Sequence, residues 1–393
     1  MYSAVEPKKI SEVARALVAL QSYGLSGLAG SRKAGGRLPN YSGAPLTKGA
    51  VFWIRGLSLF EALLLNAPPS PDARLLLESD ETPMGSPVWA KAPFPEPGQR
   101  VARGYIEMLT WKSRQVTILA ENVGDAAVVS HVFLAPGDDM YMPVGQGALD
   151  PLMATTKHSK KGLVPLRLSE NRSVWRDSEI LFKLASPSKA GGPRTFSWLQ
   201  EVSKVSGADR YSVSVFHLST ERGKAGKPSQ WRHELMPVYP ALLDSGADGG
   251  GRPLHQIREA LEGADEQSRI LYQAIRATAS HLLASPAPGS DELPKPKTDE
   301  LKDLLDALGA EPRYWAALEP TFYRFLSDLA ADAESYVARQ QVLSDWQEAI
   351  YVAARSAFQT STAHIDQDAR QLRAVAQGTR HLMRIKALCN RND

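Results

Sequence analysis

The first 240 residues alternate between short apolar segments and stretches rich in Gly and Pro. The apolar segments contain β-branched residues and are bounded by turn-forming residues, a pattern that predicts strands. The predicted strands are Val116–Leu119, Val128–Leu134, Leu163–Leu168 and Ser212–Leu218. Apolar residues recur at helical spacing in only two stretches, Ile10–Leu20 and Leu57–Leu65. Because strands and helices do not alternate regularly, the pattern predicts an irregular mixed α/β domain.

From Pro253 onward the apolar residues recur with a period of 3.6, which indicates amphipathic helices. The first helix is predicted to end before Pro286, and a Pro-rich connector follows it. A short helix, Asp299–Leu308, comes next, with Gly309 as its C-terminal cap.

Three further long helices are predicted: one opens at Pro312, and the others are marked by the apolar positions of 342–358 and 365–388. Pro320 is expected to kink the first of these three. Four long helices with short connections favour an antiparallel four-helix bundle. The predicted class is therefore α+β, a mixed α/β domain followed by a C-terminal bundle.

The boundary between the two parts is predicted within DSGADGGGRP, residues 244–253, where turn-forming residues coincide with the change of period. We accordingly divide the chain into a mixed α/β domain, residues 1–245, and a four-helix bundle, residues 246–393.

Composition places the chain among ordinary globular proteins, with 43% hydrophobic and 23% charged residues. A single cysteine, Cys389, excludes a disulfide framework and a multi-cysteine zinc site. No apolar run approaches the roughly 20 residues that span a bilayer, and the N-terminus is too charged for a signal peptide. We expect a cytoplasmic protein with no membrane contact.

The net charge of +3 is unevenly distributed. Residues 1–250 hold 29 basic against 23 acidic residues, whereas residues 251–393 hold 17 against 20. Within the first part, residues 151–200 alone carry 9 basic and 3 acidic residues. This distribution is typical of a protein with one or two local basic surfaces, although a solvated face would give the same counts.

No pattern of catalytic residues is complete. Lys224–Lys227 resembles part of a phosphate-binding loop, but two required positions differ. Glu221 stands where such a loop needs its first glycine, and Pro228 stands where it needs Ser or Thr. His233-Glu234 lacks the second histidine of a helical zinc site, and the eight histidines show no ligand spacing. Asp138 and Asp139, in the sequence PGDD, are expected to form a turn. We expect no metal, no cofactor and no catalysis; the alternative is a metal-dependent nuclease that uses Asp138, Asp139 or the histidines.

Glycines accompany positive charge in YGLSGLAGSRKAGGR, residues 23–37. Glycine lets a backbone approach a partner closely and leaves its N–H donors accessible, while cations neutralise phosphates. This stretch is a candidate DNA-binding loop, and a flexible charged loop is the alternative.

Two further segments share this character. Lys160 and Lys161 precede a predicted strand, where a turn that ends at Gly162 would expose them. Ser212–Val238 alternates, turns and alternates again, which predicts a β-hairpin whose tip is Lys224–Lys227. A tip with small residues and cations suits a DNA groove, whereas the alternative is a solvated hairpin.

Five segments follow one another along the chain: GAPLTKGAVFWIRGLSLFEALLLNAP, RGYIEMLTWKSRQVTIL, KKGLVPLRLSENRSVWRD, KPSQWRHELMPV and RYWAALEPTFYRFL. In this order they resemble the CasA family, the large subunit of the type I-E CRISPR surveillance complex, Cascade. The resemblance covers nearly the whole chain, and the family's mixed α/β domain followed by a four-helix bundle agrees with the division above.

The resemblance implies a non-catalytic subunit that recognises the protospacer-adjacent motif in double-stranded DNA, promotes duplex opening and R-loop formation, and docks the helicase-nuclease. The protein reads a short duplex element while guide RNA reads the rest by pairing. The implied partners are the other Cascade subunits, the guide RNA, the target DNA and the helicase-nuclease. The implied DNA-binding residues are Gly27, Leu28, Ala29, Gly30, Lys160, Lys161, Lys224, Ala225, Gly226 and Lys227. Residues 1–245 would then form the DNA-recognition domain, and a helical-bundle adaptor without DNA reading is a further alternative.

The chain departs from the family pattern in three places. Much of the family's usual N-terminal portion is missing ahead of ALVALQSYG, so either a separate chain supplies it or the protein is a reduced form. Many members carry an Asn-Gln or similar pair at the hairpin tip, which here reads Gly223-Lys224-Ala225-Gly226. A lysine that some members place before the segment matching Leu149-Asp150-Pro151 has no counterpart here.

Overall fold

The computed structural model describes most of the chain in two compact units, Met1–Ala247 and Asp248–Asp393. The described residues are 8–28, 40–67, 85–90, 98–102, 104–123, 126–141, 150–185, 189–220, 228–243, 252–284, 296–332, 335–365 and 368–389. No helix in these ranges is long and apolar enough to cross a membrane.

The first unit combines short helices with antiparallel strands. Its described helices are α1 (Ile10–Tyr23), α2 (Leu59–Asn66), α3 (Tyr105–Leu109), α4 (Ser178–Leu181) and α5 (Leu199–Ser206). Its described strands are β1 (Lys8–Lys9), β2 (Gly27–Leu28), β3 (Asn40–Tyr41), β4 (Val51–Arg55), β5 (Gln99–Arg100), β6 (Arg114–Val123), β7 (Ala126–Pro136), β8 (Asp139–Met140), β9 (Thr155–His158), β10 (Gly162–Pro165), β11 (Tyr211–Thr220) and β12 (Pro228–Val238).

These strands form small separate sheets, as an irregular domain requires. Two sheets have three strands, in the orders β12-β11-β4 and β1-β7-β6. The pairs β9-β10 and β2-β3 are antiparallel, and the pair β5-β8 is parallel.

The sheet of β12, β11 and β4 covers the core of the first unit. Val213 and Val215, two residues apart on β11, are both buried on one face, as the two-residue period of a strand dictates. Ser212, which precedes them on the other face, is exposed. Phe52 on β4 packs edge-on against Phe196, with ring centroids 6.5 Å apart.

A buried asparagine connects this sheet to α2. Asn66 Oδ1 accepts the Ile54 N–H at 2.9 Å, and Asn66 Nδ2 donates to the Ile54 carbonyl at 2.7 Å. The side-chain amide thus takes the place of a neighbouring strand at the edge of β4 and satisfies buried backbone groups.

The second unit is helical throughout its described residues. Its helices are α6 (Arg252–Leu283), α7 (Thr298–Leu308), α8 (Ala310–Ala331), α9 (Tyr336–Thr362) and α10 (Ala369–Cys389). Aromatic rings form its core, where Trp346 contacts Phe322 and Phe325 at centroid distances of 5.4 and 5.5 Å. Trp346 Nε1 also donates to the Ala260 carbonyl at 2.9 Å, which ties α9 to α6.

Close backbone approach joins α10 to α6. A Cβ at Gly378 would lie 2.1 Å from Thr278 Oγ1 and 2.8 Å from the Ala274 carbonyl, so only glycine fits at this crossing. Arg370 Nη2 donates to the Leu282 and Ala284 carbonyls at the end of α6, where the helix itself provides no donors for its last carbonyl groups.

The predicted α+β class is confirmed, and so are the β11–β12 hairpin stem, the helix α1 and the cap at Gly309, whose φ is +57°. The antiparallel four-helix bundle stays a prediction, as does the assignment of DNA recognition to residues 1–245.

Several predicted boundaries were wrong by a few residues. Helix α2 begins at Leu59 and not at Leu57, because Ser58 Oγ caps the Glu61 N–H at 3.1 Å. The strand predicted over Leu163–Leu168 ends at Pro165. Helix α8 begins at Ala310, before Pro312, and continues through Pro320 to Ala331.

Candidate nucleic-acid interface

The glycine-rich loop is closed at its base by a short antiparallel ladder. Gly27 pairs with Tyr41 and Leu28 with Asn40. The candidate residues Ala29 and Gly30 lie outside the described residues. What the structure provides is therefore the stem of a hairpin, the Gly27-Leu28/Asn40-Tyr41 ladder, which holds both ends of the loop side by side.

A buried arginine donates hydrogen bonds to the backbone on both sides of this stem. Arg114, only 2% exposed at the start of β6, donates from Nη2 to the Leu25 carbonyl at 2.6 Å. It donates from Nη1 to the Ser42 carbonyl at 2.7 Å. Leu25 precedes the loop and Ser42 follows it, so one guanidinium contacts both sides of the stem.

The same arginine is positioned by aromatic and amide neighbours. Its guanidinium carbon lies 4.4 Å from the centroid of the Tyr41 ring, a cation–π contact. Gln21 on α1 accepts the Arg114 N–H at 3.0 Å and donates to the Arg114 carbonyl at 2.8 Å. Burial lowers the pKa of Arg114 from its usual value, an effect that the Tyr41 hydroxyl opposes. The cation is stabilised by carbonyl dipoles and an aromatic face.

The second candidate element is the long hairpin of β11 and β12. Its ladder runs from Tyr211↔Val238 to Thr220↔Pro228 and has an irregularity at Ser219/Thr220. The tip that holds Lys224, Ala225, Gly226 and Lys227 lies outside the described residues. The strands on either side of the tip are described: β11 ends at Thr220, and β12 begins at Pro228.

A ring contact brings the glycine-loop stem and the hairpin together. Tyr23, at the end of α1, packs edge-on against Trp231 of β12 with centroids 5.8 Å apart. Tyr23 stands four residues before Gly27, and Trp231 stands four residues after Lys227. Trp231 in turn contacts Phe216 at 6.2 Å and remains 53% exposed. Two of the three candidate segments therefore share one aromatic contact at their bases.

The third candidate segment is a tight, exposed turn. Lys160 and Lys161 lie between β9 and β10, where His158 pairs with Gly162. Gly162 has a φ of +69°, a left-handed conformation that glycine adopts without strain. Both lysines are exposed, as the sequence predicted.

The ring of His158 holds this turn in place. Its Nδ1 accepts the backbone N–H of Lys160 at 3.1 Å and that of Lys161 at 3.3 Å. These two hydrogen bonds fix the backbone of the turn.

The lysine turn is connected to the central sheet through the backbone that flanks it. Leu166, just after β10, accepts the Ala50 N–H at 2.8 Å, and Met153, just before β9, bridges to Val51 on β4. The three candidate segments thus belong to one unit, with the lysine turn on its own hairpin.

Asp138 and Asp139 do not form the turn that the sequence predicted. Asp139 begins β8, which pairs with β5, and its carboxylate lies 3.2 Å from Lys48 Nζ. Asp138 accepts from Arg100 Nε and from the Gly98 N–H, each at 2.9 Å. Both carboxylates have structural partners. Among the described residues, no group of three or more His, Cys, Asp or Glu side chains is placed to hold a metal ion.

Sequence analysis missed the residues that position the candidate segments. Arg114 lies in the segment RGYIEMLTWKSRQVTIL, and Tyr23 and Trp231 also lie in longer segments. None of the three was predicted to have a role of its own. One local signal for Arg114 exists, because it is an arginine at the start of a strand of alternating apolar residues. A guanidinium buried at such a position needs hydrogen-bond acceptors.

The chain is similar to known proteins over most of its length. The family model described as CRISPR-associated protein Cse1 matches residues 4–357. The chain is 27% identical over 382 residues to the CRISPR-associated protein CasA/Cse1 of Thermus thermophilus, covering 95% of this chain and 68% of that protein.

Solved structures agree in fold. The crystal structure of Thermus thermophilus CasA matches with a TM-score of 0.72 and 25% identity, covering 97% of this chain and 72% of that one. A chain of a CRISPR RNA-guided surveillance complex matches with a TM-score of 0.60 and 19% identity, covering 96% of this chain and 69% of that one, a likeness of fold alone. Since the family model spans most of the sequence, the chain belongs to the family of CRISPR-associated protein Cse1, also called CasA.

Proposed function

We propose that the protein is the large subunit of a Cascade-type, RNA-guided surveillance complex and that its first unit reads a short motif in double-stranded DNA. Membership of the Cse1 family supports the assembly, since one protein of the same fold is a chain of such a complex. The other Cascade subunits and the guide RNA are the partners that follow from it.

The observation that carries the DNA-reading role is the Tyr23–Trp231 contact. It places the bases of the glycine loop and of the basic hairpin side by side, with ring centroids 5.8 Å apart. Two segments that flank one aromatic contact and carry cations and small residues suit contact with a DNA groove. The proposed DNA-contacting residues remain Gly27–Gly30, Lys160, Lys161 and Lys224–Lys227.

The lysine turn supports the same role by charge. Lys160 and Lys161 are exposed on a turn whose backbone is fixed by His158, and the described contacts include no acidic partner for either side chain. Held in this way, two adjacent ammonium groups favour phosphate oxygens, which position a protein on a duplex without reading its sequence.

Duplex opening, R-loop formation and docking of the helicase-nuclease complete the proposal. Guide RNA would read the target by pairing once the motif is bound, so the protein itself needs no catalytic group. We propose a non-catalytic subunit. The paired carboxylates of Asp138 and Asp139 support this over a nuclease, because Arg100 and Lys48 already neutralise them.

Copurification tests the assembly. Tagged protein expressed with its genomic neighbours should bring down guide RNA and the other subunits in a ribonuclease-sensitive complex. A variant lacking a single exposed surface lysine away from the candidate segments, Lys204→Ala, serves as the matched control. Recovery of the tagged chain alone under these conditions would refute the proposal.

The assembled complex then separates DNA reading from the adaptor alternative. Removing the charges of Lys160, Lys161, Lys224 and Lys227 together should abolish binding to motif-bearing duplex while the complex still assembles. Unchanged duplex binding by that variant complex would leave the helical adaptor as the better description. Divalent-metal-dependent DNA cleavage by the isolated chain would favour the nuclease.

A further inference from the structure

A cavity of about 390 Å³ in the first unit has none of the candidate DNA-contacting residues in its lining. Its walls are largely apolar and include Leu17 and Val18 of α1, Leu46, and Met108 of α3. The volume falls within the range of about 300 to 1,000 Å³ that is usual for small-molecule sites.

A buried carboxylate lines this cavity. Asp150 is 7% exposed, and the one hydrogen bond described for its carboxylate comes from the Leu152 N–H, 2.9 Å from Oδ1. Burial raises the pKa of Asp150 to about 6, an effect that the Leu152 hydrogen bond opposes. A buried carboxylate with so few donors favours a ligand that brings its own N–H groups.

The rim of the cavity supplies two other groups. Trp89 lines it with its side chain 69% exposed, which leaves an indole face for stacking. Lys112 also lines it and is exposed. A largely apolar cavity whose lining includes a buried acceptor, an exposed aromatic ring and an exposed cation offers the groups that bind the base and the phosphate of a nucleotide.

We propose that this cavity binds a single unstacked nucleotide with a guanine base. The two oxygens of Asp150 accept the parallel N1–H and N2–H donors of guanine, Trp89 stacks on the ring, and Lys112 contacts the phosphate. Adenine and cytosine offer only one exocyclic amine beside an acceptor, and uracil places carbonyl oxygens on both sides of its single N–H, so the carboxylate discriminates against all three.

A buried carboxylate could also accept a basic side chain of a partner protein. Lys112 favours a nucleotide over that alternative. Lys112 would repel an incoming guanidinium or ammonium group but attracts a phosphate. This inference rests on the cavity alone, so its outcome is independent of whether the chain copurifies with other subunits.

Isothermal titration of the purified full-length chain with guanosine 5′-monophosphate tests the proposal. Guanosine monophosphate should bind at least about tenfold more tightly than the adenosine, cytidine and uridine monophosphates, and inosine monophosphate, which lacks the N2 amine, should bind several-fold more weakly than guanosine monophosphate.

Three variants assign the contacts. Asp150→Asn keeps an acceptor for the Leu152 N–H but loses the anionic acceptor pair, and it should weaken guanosine monophosphate binding by about tenfold or more. Trp89→Ala should weaken the monophosphate and the nucleoside equally, whereas Lys112→Ala should weaken the monophosphate only. Glu12→Gln, at an exposed position of α1, is the matched control and should bind as the unchanged chain does.

Thermal denaturation of each variant verifies that it is folded before titration. Equal affinity for all four monophosphates would overturn the proposal, as would unchanged guanosine monophosphate binding by folded Asp150→Asn. Tighter binding of ethylguanidinium than of guanosine monophosphate, lost in Asp150→Asn, would assign the cavity to a basic side chain instead.

Discussion

The guanidinium of Arg114 lies 4.4 Å from the centre of the Tyr41 ring and donates to backbone carbonyls on both sides of the glycine-loop stem. A residue on β6 therefore holds together two backbone segments that lie far earlier in the chain. The buried cation thus reinforces the β2–β3 ladder that closes the base of the loop.

Replacing Arg114 should be costly for that reason. In Arg114→Met the Leu25 and Ser42 carbonyls lose their donor while their surroundings stay buried, so we expect a loss of at least about 2 kcal/mol in the free energy of unfolding. Urea denaturation measures it, and Arg15→Met, at an exposed position of α1, should cost less than about 0.5 kcal/mol. Similar losses for the two variants would show that the clamp contributes little.

The Tyr23–Trp231 contact should couple the glycine-loop stem to the hairpin. A double-mutant cycle with Tyr23→Ala and Trp231→Ala should give a coupling energy of about 0.5 to 1.5 kcal/mol in unfolding, as expected for an edge-on aromatic pair. In the assembled complex, each single variant should also weaken binding to motif-bearing duplex. Additive effects of the two substitutions, on stability and on DNA binding alike, would contradict the coupling.

The lysine turn should contribute through phosphate contacts. Lys160→Ala and Lys161→Ala should each lower the affinity of the complex for duplexes of any sequence and reduce the slope of log affinity against log salt by about one. Filter binding over a range of salt concentrations measures both quantities. Lys204→Ala is the control, because Glu201 already pairs with Lys204 at 2.7 Å, and its slope should match the unchanged complex.

The hairpin tip should act only while the duplex is closed. Gly226→Leu should weaken binding to motif-bearing duplex because a bulky side chain clashes where a small one fits. Binding to a pre-opened target should stay nearly unchanged, since pairing with the guide no longer needs the duplex to be read. Gel-shift titrations with the two targets make the comparison. An equal loss on both would mean that the tip serves folding, and motif reading would then fall to the loop at Gly27–Gly30.

A buried histidine should make stability depend on pH. His217 on β11 is 4% exposed, and burial, with Arg167 and Arg232 nearby, lowers its pKa to about 4. The unfolded chain takes up this proton near pH 6.5, so stability present above that pH is lost as the pH falls from about 6.5 to about 4, by about 2 to 3 kcal/mol.

Denaturation of His217→Gln at several pH values checks this effect. The variant should lose less stability than the unchanged chain between pH 7 and pH 4, and the exposed His255→Gln should follow the unchanged chain. Parallel curves for His217→Gln and the unchanged chain would contradict the assigned burial of the neutral ring.

Local sequence patterns were enough to predict many secondary-structure elements of this protein. Alternation at Ser212–Leu218 and Trp231–Val238 predicted the hairpin stem, because each strand buries one face and exposes the other. The 3.6-residue period predicted the helices after Pro253, and Gly309 predicted the end of α7, because its left-handed backbone favours glycine. The resemblance to CasA was likewise a matter of ordered motifs, and the family comparison confirmed it.

Which distant residues contact one another depends on how the elements pack in three dimensions. Burial of Arg114 and Asp150 depends on elements packed from several parts of the chain, so their neighbouring residues alone do not place either side chain in the interior. Asp138 and Asp139 were likewise predicted to form a turn. In the structure Asp139 begins β8, and the two carboxylates form ion pairs with Arg100 and Lys48, which come from elsewhere in the chain. Tyr23 and Trp231 lie far apart in sequence but are in contact in the structure. Hydrophobic periodicity predicts which face of an element is buried, but it does not predict which other element packs against that face.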